Sequence, residues 1–96
     1  TNDLVENNIS KDFLLNNSPN PFNAKTTINI NLNSDGIVNL SIYDLNGTKV
    51  SELMDGFYNS SYYQVQWDAN DFSSGLYFVK LTTQDITKTH RIILLK

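Results

Sequence analysis

Apolar and polar positions alternate with a period of two in a series of short blocks, each ended by turn-forming residues. The clearest block is Thr26 to Leu32, where Ile28, Ile30 and Leu32 share one face and Asn29 and Asn31 the other. That is the pattern of a strand buried on one side only. Ile37 to Asp44 repeats it with Val38, Leu40 and Ile42 inward. Asn46-Gly47 then predicts a type I′ hairpin turn, which needs positive φ at both central residues. Thr48 to Leu53 is the returning strand, and Asp55-Gly56 predicts the next turn. Tyr63, Val65 and Trp67 alternate with Gln64 and Gln66. A polar loop from Asp68 to Ser74, closed by Gly75, leads to a strand over Leu76 to Thr83 with Tyr77, Val79 and Leu81 on one side. Thr87 to Lys96 is the last strand, and its run Ile92 to Leu95, apolar on both faces but only four residues long, suits a buried strand better than a helix. Upstream, Lys11 to Asn16 supplies a first strand through Phe13, Leu14 and Leu15. Ser18-Pro19-Asn20-Pro21 ends it, because proline cannot donate to a strand ladder.

Parallel pairing would need long crossover segments, and the chain has none. The expected fold is therefore all-β, an immunoglobulin-like antiparallel sandwich of about seven strands over residues 11–96 with Trp67 in its core. Residues 1–10, polar and without a period, read as a linker from a preceding domain, and a chain opening on Thr1 reads as a piece of something longer. Composition supports the β assignment. Asparagine is abundant, which favours turns and a polar sheet surface, and alanine occurs only at Ala24 and Ala69.

Several function classes drop out. With no cysteine, the chain has no disulfide, thiolate metal site or cysteine nucleophile. No segment approaches the roughly 20 apolar residues of a transmembrane helix, and none resembles a signal peptide. A net charge of −3 argues against general nucleic-acid binding. Its distribution says more. Residues 1–79 carry three Lys/Arg against nine Asp/Glu, a net of −6, whereas residues 80–96 carry Lys80, Lys88, Arg91 and Lys96 against Asp85, a net of +3. A basic end on an acidic body steers an acidic partner, and lysines on an outer strand also discourage edge-to-edge aggregation.

The motifs then become recognisable. Asn17-Ser18-Pro19-Asn20-Pro21-Phe22-Asn23 is similar to the "YPNPFN" opening of the type A C-terminal sorting domains of the type IX (Por) secretion system, and of related immunoglobulin-like domains resembling that of the flagellar hook-capping protein. Ile42 to Gly47, followed by Lys49-Val50, resembles the family's "VYDLxGxxV" hairpin. Val65-Gln66-Trp67-Asp68 resembles its "xxWDG" strand end, with Ala69 where glycine is common. Ser74 to Leu81 is similar to "SGxYFxxL", and Thr87 to Lys96 to the terminal "xxxKxxxLLK". The resemblance implies a domain at the C-terminus of exported cargo, which directs passage across the outer membrane and is removed by a C-terminal signal peptidase, sometimes with attachment of the cargo to surface lipopolysaccharide. Lys96 would then be the precursor's natural end. The implied partners are the outer-membrane secretion machinery, its peptidase and an N-terminal cargo domain. The implied location is the periplasm in transit, then the cell surface or exterior of a Gram-negative bacterium. The family's recognition elements fall on Pro19, Asn20, Pro21, Gly75, Tyr77, Lys88 and Lys96.

Physically, Pro19 and Pro21 stiffen the approach to the sandwich, Gly47 and Gly75 answer to positive φ or close backbone approach, and Tyr77 suits a core aromatic with a hydrogen-bonded hydroxyl. Lys88, Arg91 and Lys96 add little to a core and are the candidates for contact with the machinery, alongside strand addition at an edge.

Other chemistries have thinner support. His90 is the lone histidine, its neighbour Arg91 disfavours the protonated ring a general base must pass through, and no nucleophile elbow accompanies it. The expectation is no enzyme and no cofactor. Asp68, Asn70 and Asp71 open like a calcium loop, but Phe72 and Ser73 break the pattern, and Asx-turns explain the same residues. Phe57, Tyr58 and Tyr62 are the residues for an exposed sugar-stacking pair, so a carbohydrate-binding module is the alternative, with a structural spacer as a third reading.

Overall fold

The computed structural model describes residues 14–96. The linker read over residues 1–10 and the start of the first strand at Lys11 to Phe13 lie outside them. Seven strands follow one another: β1 (Leu14–Ser18), β2 (Lys25–Leu32), β3 (Gly36–Tyr43), β4 (Lys49–Tyr58), β5 (Ser61–Asp68), β6 (Gly75–Thr82) and β7 (Thr87–Leu94). They form two antiparallel sheets, one ordered β1-β2-β5 and the other β4-β3-β6-β7. This is the expected immunoglobulin-like sandwich.

Period-two patterning places the core. Ile28, Ile30 and Leu32 of β2 face Val38, Leu40 and Ile42 of β3 and Val79 and Leu81 of β6 across the gap between the sheets, all buried. Trp67 is 2 % exposed, packs on Phe22, Phe72 and Tyr77 with ring centroids 5.7, 5.5 and 5.4 Å away, and donates its indole N–H to Ser51 Oγ at 3.0 Å. A buried indole keeps a partner in this way.

Two turn expectations are corrected. The β3–β4 loop is not type I′, because of its central residues only Gly47 has positive φ, at 85°. Gly47 N–H donates to Asp44 O at 3.0 Å and Asp44 N–H to Thr48 O at 2.9 Å, which makes a three-residue loop ended by a left-handed glycine. Asp44 selects it: its Oδ1 accepts the backbone N–H of Asn46 and of Thr48, at 2.9 and 3.0 Å. Asp55-Gly56 is not a turn either. Both residues sit inside β4, Gly56 opposite Val38, and the chain turns at Asn59-Ser60 instead. There Asp35 Oδ1 accepts Ser60 N–H and Ser60 Oγ donates to Leu32 O, so side chains distant in sequence hold the turn that passes the chain from one sheet to the other.

A third correction concerns the last strand. Ile92 and Leu94 are buried, but Ile93 and Leu95 are 37 % and 55 % exposed. A two-layer sandwich covers one face of each sheet, so an apolar run on an outer strand buries every second residue.

Candidate functional site

β7 is an edge strand whose outer margin is covered by the segment that follows β1. The chain leaves β1 through Ser18-Pro19 and Asn20-Pro21, both cis peptide bonds. Asn17 Nδ2 and Thr26 Oγ1 each donate to Pro19 O, at 3.1 and 3.0 Å, and anchor this segment to the first sheet. From there Asn20 reaches β7. Its Oδ1 accepts the N–H of Ile93 at 3.1 Å and its Nδ2 donates to Arg91 O at 3.3 Å, so the side-chain amide stands where a neighbouring strand's peptide would be. Phe22 continues the pairing through its own backbone, donating to Ile93 O and accepting from Leu95 N–H at 2.9 and 2.8 Å, in a parallel bridge to Leu94. Asn20 and Phe22, on the segment that carries Pro19 and Pro21, therefore close the C-terminal half of an exposed edge, one of the ways proteins prevent edge-to-edge pairing. Strand addition on β7 is left the stretch Thr87 to Thr89.

The other motif residues gather around the same strand. Gly75 lies opposite Leu94, at φ 152°. A Cβ there would meet nothing within 4 Å, so backbone conformation rather than crowding calls for glycine. Tyr77, opposite Ile92, is buried and donates its hydroxyl to Ser73 O at 2.7 Å, the tyrosine corner of immunoglobulin-like sandwiches. Lys96 donates its backbone N–H to Ser74 Oγ at 2.9 Å and its ammonium to Asn70 O, which ties the chain's last residue to the β5–β6 loop. Gly47 stands apart, in the β3–β4 loop.

The three candidate cations do not form one patch. Alternation along β7 puts Lys88 and His90 on the side of Ile92 and Leu94, and Arg91 on the outer face opposite Phe78. His90 Nε2 bridges to Asn17 Oδ1 of β1 at 2.8 Å, closing the side of the sandwich where the two sheets' edges meet. Its pKa is pushed below the ordinary 6.5, and the cause is burial, not the neighbouring guanidinium, which points away across the strand.

One feature of the outer face had a weak signal in the sequence. Register places Lys49, Tyr43, Phe78 and Arg91 side by side across β4, β3, β6 and β7, with Lys80 Nζ 5.6 Å from the Tyr43 ring centroid. A shallow groove of about 320 Å³ runs beside this row, lined by Tyr43, Leu45, Phe78 and Lys80, with Leu45 67 % exposed. A large apolar residue inside a tight turn was the available clue.

Some residues of the alternative readings are engaged elsewhere, and others stand apart. Asp68 Oδ1 accepts Asn70 N–H at 3.0 Å, an Asx-turn, and among the described residues no three His, Asp or Glu side chains converge. Tyr58 packs edge-on against Tyr63 at 5.7 Å, while Tyr62 and Phe57 are exposed on strands of different sheets with no ring contact between them.

Comparison with known proteins adds three findings. The sequence model of a family described as "Secretion system C-terminal sorting domain" matches residues 18–95. No curated protein matches the chain. Among solved structures, the chain is similar to part of PorZ, described as an essential bacterial surface component of the type IX secretion system of Porphyromonas gingivalis. The TM-score is 0.62 with 21 % identity over 85 % of this chain, which spans 11 % of that protein.

Proposed function

The chain belongs to the secretion system C-terminal sorting domains and is a sorting signal for type IX secretion; from that premise we propose how it is read. Cargo of this system is recognised by the secretion machinery and exported to the cell surface or beyond. The observation that carries the mechanism is convergence: Asn20, Phe22, Gly75 and Tyr77, scattered over 58 positions from 20 to 77, all pair with or contact β7. We infer that the machinery reads the folded β6–β7 margin, with Arg91 on the outer face, Lys88 at the open end and the outer backbone of Thr87 to Thr89, which pairs with no strand among the described residues, available to it. The reading assigns the domain no catalysis, takes the cargo through the periplasm, and makes the C-terminal signal peptidase a later partner.

An export assay tests it. A secreted fluorescent reporter carries residues 1–96 in a host with the secretion apparatus, beside a Lys88→Glu/Arg91→Glu/Lys96→Glu variant checked for folding. We expect the reporter outside the cell with the native domain and a several-fold loss with the folded triple variant. Equal export of both overturns the charge contribution, and retention of the native fusion overturns the sorting role in that host.

A further inference from the structure

Among the described residues the sandwich has four edge strands, β1, β5, β4 and β7, and three of them are blunted by different devices. β1 runs into Pro19. β4 pairs with β3 through two register irregularities and exposes Lys49, Glu52 and Asp55. β7 is covered by Asn20 and Phe22. β5 has none of these. It pairs with β2 over eight residues without a register break, and from Ser61 to Trp67 it contains no charge, proline or glycine. Among the described residues nothing pairs with its outer backbone. A long, regular, uncharged edge is the kind natural proteins suppress unless something binds it.

A second observation points the same way. Most of the partly buried hydrophobics packed on the core lie beside this edge: Tyr63 and Val65 on the inner face of β5, and Val50, Leu53 and Tyr58 on β4 across the gap, with Phe72 and Ile86 in loops elsewhere. We propose that the open edge of β5 is a strand-addition site for an extended segment of another polypeptide with apolar residues at alternate positions. The unpaired backbone would supply hydrogen bonds to every second residue, and the half-exposed strip would take the inward side chains. Charge selects the occupant. β4 and β5 together carry Lys49 against Glu52, Asp55 and Asp68, a net of −2, whereas Lys80, Lys88 and Arg91 lie on β6 and β7 at the far side. A strand flanked by basic residues is attracted here, and a second copy of this chain brings like charges to like. The inference is independent of how the β7 margin is read.

The test uses the 96-residue chain and a synthetic probe, Lys-Val-Thr-Val-Thr-Val-Lys, with amide hydrogen exchange followed by NMR. We expect at least tenfold slower exchange at β5 amides on saturation, no change at the β7 edge, and several-fold weaker binding of the same peptide with glutamate at both ends in low salt. Val65→Lys, an inward-pointing charge on a partly buried position, should cut binding at least tenfold in the fraction that a cooperative thermal transition shows to be folded. A second arm leaves the protein unaltered: of two probes N-methylated at the odd or at the even amides, at least one should lose binding. The proposal is overturned if protection maps to β4 or β7, or if both methylated probes bind as well as the parent. Concentration-dependent protection of β5 without any probe would also overturn it, since the occupant would then be a second copy.

Discussion

Asn20 shows how much one side chain can contribute at an edge. Its amide makes two hydrogen bonds to the β7 backbone, and a net value of about 1 kcal/mol each gives Asn20→Ala a cost of about 1–2 kcal/mol. In a domain this size that lowers the thermal midpoint by roughly 5–15 °C. We expect that shift together with faster aggregation, because the change uncovers an edge as well as removing bonds; calorimetry and light scattering check the two effects. His90 contributes in the opposite sense to most paired histidines. Burial holds its folded-state pKa below the ordinary 6.5, so the unfolded chain binds the proton more readily. Its contribution is complete above that value and declines as pH falls from 6.5 towards the folded-state pKa. Thermal midpoints measured between pH 7 and 5 should fall with pH, and His90→Gln should flatten that part of the profile. Glu52 acts lower, below the ordinary carboxylate value, where the Asn39 amide and then Lys49 keep its carboxyl ionised.

At the scale of elements, alternation was enough to place the inner faces of β2, β3, β5 and β6, because a half-buried strand must segregate its residues by parity. Turns were harder to read. Asn46-Gly47 suits a two-residue loop, yet Asp44 accepts two loop amides and draws the hairpin out to three, with only Gly47 left-handed. Gly47→Ala should cost about 1 kcal/mol from backbone strain alone, since open space surrounds the position. Urea unfolding with an unchanged m-value would check that. Ala24 was missed altogether. At φ 71°, with Lys25 N–H donating to Asn23 O at 2.9 Å, it centres a γ-turn where glycine would be the easy choice. Its carbonyl accepts the N–H of buried Ala69, a contact between loops that no local pattern announces.

Across the whole molecule, part of the charge asymmetry becomes a spatial one, with Glu52, Asp55 and Asp68 on β4 and β5 and Lys80, Lys88 and Arg91 on β6 and β7. β7 belongs to the fold, whatever part it has in the proposed recognition. Ile92 and Leu94 are fully buried, each worth about 2 kcal/mol, and Phe22 and Tyr77 pack or pair against the same strand. A chain ending at Thr87 loses all of this from a stability margin of about 5–15 kcal/mol. We expect it to show no cooperative thermal transition. Export lost by that truncation would report unfolding, so the sorting test rests on surface substitutions.

The all-β class, the inner faces and the core position of Trp67 followed from the sequence alone, because burial of one sheet face imposes a period of two on nearest neighbours. The motifs likewise point to a sorting domain. Only the tertiary structure decided what those motif residues do together. Asn20 meets Ile93 across 73 positions, His90 meets Asn17 across the same separation, and Lys88 and Arg91 part to opposite faces of one strand. It also decided which edges are closed, since a strand's pattern records which side is wet but not which neighbour lies beside it. Pairing across an edge is made by backbone groups common to every residue, so the open margin of β5 leaves little trace in the order of its side chains.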